Sequence, residues 1–536
     1  MTFSGRLAVV TLLACITHPL HAETWIGPSG DGSQSGSWAT NANWSPNTVP
    51  NAIGASATFN SNQTATRTIS LDGATKLGSL SITNDTTFMN VVQDGTGGSL
   101  EFDASSGNAT ITVSGTGTAQ NRLNATMVFT DTVTANVQNL TQSTTGPFSL
   151  LGIVTGPGGF IKDGPGWMTF AFVPSTSNTF KDYEGPTVIN DGRFRVSAST
   201  GSPPRKTSSV TVNTGGQITF ATSGTATFGS LLPTLPNINL NGTGLAQFPG
   251  AIRGDSGISN IANPIVLGSD ASINVIGAAV SYTLQGTVSG PGRFELGTQP
   301  GDPLNQGTLF FSQPNAYSGG TVVTQGTLDV AVASNLGTGN VMVDGATASG
   351  ASRANGKLNL HGNTSIPNTA YLNITGDDGI DGSVGGFVNI DFGIDEVIGG
   401  LMLGGKIIGA GTYGSVASGA AGNAALIGFG LNPDAFFAGN GTVTVVPAGV
   451  PGDYNGNGLV DGADYVQWRN GGPLKNDFTP GVQAADYDFW RSRFAATTNP
   501  GSGLGAAGAV PEPATFALFG LTVLLVGVLN RCRIAH

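Results

Sequence analysis

Tyr183-Glu184-Gly185-Pro186-Thr187 with Gly192-Arg193-Phe194-Arg195-Val196 is matched in spacing by Tyr317-Ser318-Gly319-Gly320-Thr321 with Gly326-Thr327-Leu328-Asp329-Val330. The positions Tyr, Gly, Thr, Gly, Phe or Leu, and Val keep the same offsets in both blocks. Each block has a glycine-rich lead, Gly156-Pro157-Gly158-Gly159-Phe160 in one and Gly290-Pro291-Gly292-Arg293-Phe294 in the other. An apolar stretch follows each lead, Met168 to Phe172 or Leu309 to Phe311. A spacing shared by distant segments points to a repeat body, in which each unit buries its apolar side against the next copy. Glycine supplies the backbone angles of tight corners, and the alternating residues between corners point inward to stack on the neighbouring coil.

Outward from these blocks, Glu23 to Val446 shows no convincing amphipathic helix. Ala109-Thr110-Ile111-Thr112-Val113, Gly216-Gln217-Ile218-Thr219-Phe220 and Lys357-Leu358-Asn359-Leu360 alternate with period two between Gly, Asn and Asp punctuation, the pattern of many short strands. Glycine is 83 of 536 residues, about twice ordinary usage, yet the alternation persists, which argues for ordered β-structure with frequent turns. The two blocks resemble the autotransporter-associated β-strand repeat of passenger-type surface proteins, best over residues 155 to 345, and that resemblance implies a right-handed parallel β-helix. The opening, from Trp25-Ile26-Gly27 through Asn43-Trp44-Ser45 to Ala57-Thr58-Phe59, is similar to the Trp-rich start of such proteins, where aromatics cap the first coil. Ile398 to Leu403, Gly411 to Gly414 and Gly439 to Val445 read as closing strands. Short alternating strands also suit a set of β-sandwich domains.

Both ends carry addresses. Arg6 precedes an apolar stretch, Leu7 to Ile16, and Leu20-His21-Ala22 offers a cleavage site before Glu23, so residues 1–22 read as a signal peptide. Leu12-Leu13-Ala14-Cys15 also resembles a lipobox that would lipidate Cys15. At the far end, Val510-Pro511-Glu512-Pro513 leads into an uncharged run from Ala514 to Leu529 and then Arg531-Cys532-Arg533. The run is a little short of the ~20 residues that span a bilayer core, and its arginines would stay on the cytoplasmic side. This three-part pattern resembles the PEP-CTERM sorting signal, which implies a membrane-bound exosortase as partner, cutting near Val510 to Pro513. Without one, the same residues would serve as an anchor.

Cysteine occurs only at Cys15 and Cys532, so a body cut at both signals holds no disulfide, thiolate zinc site or cysteine nucleophile. Histidine outside the ends is His361 alone, read as a surface residue, which removes most His-based catalysis. Charged residues are 10% of the chain, against about 25% in ordinary globular proteins, and the net charge is −11. The 21 basic residues are thinly spread, which argues against nucleic acid as a partner.

Composition changes after Val446, where Pro447 to Pro451 reads as a hinge. Asp453-Tyr454-Asn455-Gly456-Asn457-Gly458-Leu459-Val460-Asp461-Gly462-Ala463-Asp464 then places oxygen donors at positions one, three, five, nine and twelve of a loop, with Gly at six for the sharp turn. A hard cation wanting six to eight oxygens suits that spacing, and Ca2+ is the expected ion, held by Asp453, Asn455, Asn457, the Leu459 carbonyl, Asp461 and Asp464. Asp in place of Glu at position twelve departs from a calmodulin-like hand. It resembles the dockerin type I module, which implies a cohesin-like docking partner. Asp464-Tyr465-Val466-Gln467-Trp468-Arg469 returns as Asp486-Tyr487-Asp488-Phe489-Trp490-Arg491, each predicted helical. The second loop is degenerate, with Lys475, Thr479 and Gln483 at ligand positions and carboxylates only at Asp477 and Asp486.

The expected fold is therefore mainly β. A signal peptide (1–22) precedes a right-handed parallel β-helix, a β-solenoid, over 23–446. A linker (447–452), a small α-helical dockerin-like calcium module (453–496), a second linker (497–509) and a sorting signal with a transmembrane helix (510–536) follow. No serine elbow, phosphate loop or zinc spacing is present. Asp377-Asp378-Gly379-Ile380-Asp381 reads as a solvated acidic turn. The expected function is a non-enzymatic surface or matrix protein working by adhesion. The alternative is a polysaccharide-active or carbohydrate-binding protein docked through its module.

Overall fold

The computed structural model describes residues 22–140, 146–171, 180–196, 203–220, 224–297, 307–344, 356–375, 386–446, 449–479 and 481–496. The leader except Ala22, the acidic turn at Asp377–Asp381, the linker over 497–509 and the sorting signal over 510–536 lie outside them. The chain divides into two compact units, residues 1–288 with 304–310, and residues 289–303 with 311–536.

In the first unit the period-two segments form coils whose strands pair in parallel with the equivalent strands of the coils before and after. One ladder runs through Ser56–Phe59, Ser79–Thr83, Ala109–Ser114, Val133–Val137, Phe160–Asp163, Thr187–Ile189, Val210–Val212, Ile238–Gly242 and Ile265–Val275. Its register sets Val133, Phe160, Thr187, Val210, Ile238 and Ile265 in one row. A second ladder runs from Arg67–Leu71 through Asn121–Leu123, Trp167–Phe170 and Gly192–Val196 to Ile252–Gly254. Because side chains alternate across a strand, each in-register row is wholly inward or wholly outward, and the inward rows bury nearly every Val, Ile, Leu and Phe.

Rings continue the ladder inside. Phe160 lies 4.8 Å from Phe170, Phe170 lies 4.7 Å from Phe194, and Tyr183 meets Phe129 at 5.5 Å; such pairs add about 0.5–1.5 kcal/mol each beyond their buried area. Two lysines are buried as well. The Lys162 ammonium donates to the carbonyls of Asp163, Gly164 and Asp191, and that of Lys181 to Leu151, Gly152 and Ala171. Burial pulls both down to about 7. At the start of the unit Trp25, Trp38, Trp44 and Phe59 pack together with ring centroids between 4.7 and 6.1 Å apart, and Trp25 pairs antiparallel with Trp44.

In the second unit, Phe294–Leu296, Thr321–Val323, Val341–Val343, Tyr371–Ile374 and Gly400–Leu403 form a parallel ladder, and Gly326–Val330, Gly356–Leu360, Phe387–Ile390 and Phe437–Gly439 form another. The first ladder ends in an antiparallel pair, Gly400–Leu403 with Lys406–Ile408, and a separate three-stranded sheet pairs Thr442–Val445 in parallel with Asp395–Ile398 and antiparallel with Gly411–Tyr413. A short helix α1, Asn423–Gly428, interrupts a region read as all strand. At six residues it is too brief to show a helical period. Two further helices, α2 (Gly462–Arg469) and α3 (Ala484–Arg493), follow. Among the described residues no helix is long and apolar enough to cross a membrane; the run from Ala514 to Leu529, read as a transmembrane helix, lies outside them.

The matched blocks build the same local structure in their separate units. Tyr183 shares a 2.6 Å hydrogen bond with the Thr187 hydroxyl, and Tyr317 shares one of 2.6 Å with Thr321. Phe160 stands opposite Thr187 in register, and Phe294 opposite Thr321. Gly185 and Gly319 lie against the backbone of the preceding coil: an added Cβ would sit 2.5 Å from the Gly159 nitrogen or 2.4 Å from the Arg293 nitrogen. Gly192 (φ +70°) and Gly326 (φ +75°) open the next strand in the left-handed region, which a side chain disfavours.

Candidate functional site

The loop before α2 is shaped by its own acids. Asp453 accepts from the backbone N–H of Gly456 (2.8 Å) and Asn457 (3.0 Å) with one carboxylate oxygen, and from Gly458 (2.6 Å) with the other. Asn455 accepts from Asn457 N–H and Asn457 from Leu459 N–H, both at 2.9 Å. Asp464 spans the loop, accepting from Asn455 N–H at 2.9 Å and Asp461 N–H at 2.7 Å. Asp461 caps α2, closing a capping box with Asp464. Gly456 takes φ +75° at the sixth position, as the sharp turn requires.

All five expected ligand side chains are thus tied into one loop, with Asp453 and Asp464 buried, Asn455 and Asp461 half-buried, and Asn457 exposed at the rim like Leu459. Burial pushes the Asp464 carboxyl up, and the charges of Asp453 and Asp461 push the same way. Among the described residues no group of three or more His, Cys, Asp or Glu is gathered so as to hold a metal. Any cation here would rely on the amide and carbonyl oxygens as well as the acids. The Lys475 side chain lies over the turn, its Nζ 3.2 Å from where a Cβ on Gly456 would stand.

The duplication seen in the sequence is geometric. The Trp468 indole donates to the Gln483 carbonyl at 2.8 Å, and the Trp490 indole to the Asp461 carbonyl at 2.8 Å, so each helix is pinned to the opposite loop at the same loop position. Tyr465, Trp468, Tyr487 and Trp490 form one ring cluster with centroids 5.2–5.8 Å apart. Tyr454, inside the loop and not singled out from sequence, is fully buried and donates to the Asp486 carbonyl at 2.6 Å.

The second loop does a different task. Asp477 and Asp486 are both buried, and the Thr479 hydroxyl lies 3.2 Å from Asp477 and 2.6 Å from Asp486. Burial raises both carboxyls, with the Asp486 charge adding to the rise at Asp477, so folding favours a proton within the pair. This loop seats the helices on the coils: Asn340 donates to the Asp477 carbonyl at 2.7 Å, the Tyr371 hydroxyl donates to Asn476 at 3.0 Å, and Phe478 packs on Tyr371.

His361, read as a surface residue, is instead half-buried between two acids from neighbouring coils, Nδ1 at 2.6 Å from Asp391 and Nε2 at 3.1 Å from Asp329. Only the register of the coils could have shown this.

Family models match two parts of the chain. Residues 305–330 match the passenger-associated-transport-repeat, covering the second Tyr-Gly-Thr block, and residues 509–533 match the PEP-CTERM protein-sorting motif. No curated protein and no solved structure matches the chain. The sorting motif implies processing by exosortase-type machinery, and with the passenger-type repeat it points to an exported, cell-surface protein.

Proposed function

We propose that this chain is a non-enzymatic surface or extracellular-matrix protein that acts by adhesion, with its first acidic loop binding Ca2+. The observation that carries the reading is the pairing of a sorting motif with a passenger-type repeat built into stacked coils, which offer long rows of Thr, Ser and Asn to the outside. The donor set supports calcium: three carboxylates and two amides, all oxygen, at the loop spacing a hard cation takes. When bound, the ion supplies a centre of positive charge for these oxygens. The chain's own part is the backbone cradle that fixes Asp453 and Asp464 beforehand. A cohesin-like protein remains a proposed partner of the helical module.

Expression of the full chain in an export-competent host, with mass spectrometry of the product, tests the reading. An end near residues 510–514 on surface or matrix material is expected. Retention of an Arg533-containing peptide in all product would show anchoring without cleavage, and turnover of any polysaccharide by the purified chain would defeat the non-enzymatic assignment.

A further inference from the structure

The start of the first acidic loop is laced to the second loop. The Gly452 N–H donates to the Asn476 carbonyl at 3.0 Å, the Lys475 N–H to the Tyr454 carbonyl at 3.0 Å, and the Asn476 side-chain amide to the Asp453 carbonyl at 2.8 Å. Asn476 takes φ +52°, in the left-handed region that asparagine tolerates better than most residues.

The other end of the same amide faces the coils. Its oxygen accepts from the Tyr371 hydroxyl at 3.0 Å, so one side chain joins a coil strand to the first position of the loop. Asn340 braces the arrangement from a neighbouring coil: its oxygen accepts from the Tyr371 N–H at 2.9 Å, and its nitrogen donates to the Asp477 carbonyl at 2.7 Å. At the loop end of the path, Asp453 holds the turn together, because its carboxylate accepts from Gly456, Asn457 and Gly458. Two hydrogen bonds thus run from buried Tyr371 to buried Asp453 through Asn476. Each is worth about 1 kcal/mol when made between partners already held in place.

We infer that the coils pre-order the cation loop through Tyr371 and Asn476, which act as positioning residues and not as ligands. A loop already held near its bound shape gives up less freedom when it takes an ion, so a seated module binds calcium more tightly than a loosened one. Linkage makes the effect mutual: whatever factor seating adds to calcium affinity, calcium adds to seating. This affinity linkage rests on the calcium reading of the loop, but the pre-ordering is measurable without any ion.

Hydrogen exchange and calorimetry with calcium chloride, on the full chain, test the coupling. Tyr371→Phe removes one hydroxyl and keeps the ring on Phe478, whereas Asn476→Gly removes both links and suits the left-handed backbone. Tyr413→Phe is the control, its hydroxyl being bonded to the Gly409 carbonyl. Circular dichroism checks that each variant is folded. Without calcium, the amides of Gly456, Asn457 and Gly458 should exchange about fivefold faster in Tyr371→Phe than in the parent or the control, and faster still in Asn476→Gly. Calcium should bind Tyr371→Phe about fivefold more weakly, and it should slow exchange of the Tyr371 amide in the parent but not in Asn476→Gly. Unchanged loop exchange in the two variants, unchanged affinity, or an equal loss in the control would each overturn the coupling while leaving calcium binding in place. A parent that takes up no calcium would instead remove the calcium reading, and the affinity linkage with it.

Discussion

Tyr371, on a strand of the second unit's coils, and Phe478, in the degenerate loop of the helical module, meet edge to face with ring centroids 4.4 Å apart. The second loop is the surface that seats the module, since the adjacent Asn476 and the Asp477 carbonyl accept hydrogen bonds from Tyr371 and Asn340. Phe478 is fully enclosed, so Phe478→Ala should cost about 3 kcal/mol of docking. Hydrogen exchange at residues 475–479 should rise while the strands of the first unit stay protected; unchanged protection would show that the contact carries little.

Calcium should raise helicity in the 462–493 region and change Trp468 and Trp490 fluorescence, because both indoles are bonded to loop carbonyls. Asp453→Ala removes the acceptor of three loop N–H groups and should abolish the response. Lys475→Met takes a positive charge from above the loop and should tighten calcium binding a few-fold. A parent chain silent to calcium by both probes would rule the site out.

His361 gives a pH signature. Burial pulls its pKa down, but the hydrogen bonds and charges of Asp391 and Asp329 outweigh this, and the net shift is upward from 6.5. A raised value means the bridge contributes fully below pH 6.5 and is lost as pH rises through the folded-state pKa. The melting temperature of the parent should therefore exceed that of His361→Gln at pH 5.5, with the gap closing toward pH 8.5. A gap that widens with pH would reverse the assignment.

The repeat motif separates two kinds of damage. Tyr317→Phe removes one buried hydrogen bond and should cost about 1 kcal/mol in denaturant unfolding. Gly319→Ala drives a methyl to 2.4 Å from backbone atoms of Gly292 and Arg293, which cannot swing aside, and should be far more damaging. Equal effects would mean that the coils are loosely packed there.

The Tyr-Gly-Thr spacing was legible because each member has a local duty: a ring for the interior, a bare backbone for close approach, a hydroxyl for the ring's oxygen. The acidic loop was legible for the same reason, since Asp453 and Asp464 act within a dozen residues. His361 between Asp329 and Asp391 was hidden, because those partners are about thirty residues away on either side and coil lengths vary too much for spacing to predict register. The seating of the module by Asn340, 137 residues from Asp477, was hidden likewise. Tyr454 sits among ligand positions, and nothing in its neighbours marked it as core.

The four aromatic rings at the start of the first unit have a consequence for life in a crowd. A stack of parallel strands is a template at its terminal edge, ready to recruit the next molecule into a fibre. Trp25, Trp38, Trp44 and Phe59 fill that end with side chains of the same molecule, and the Trp25–Trp44 pairing folds the chain back on its own margin. Growth by head-on addition is thereby discouraged at that end.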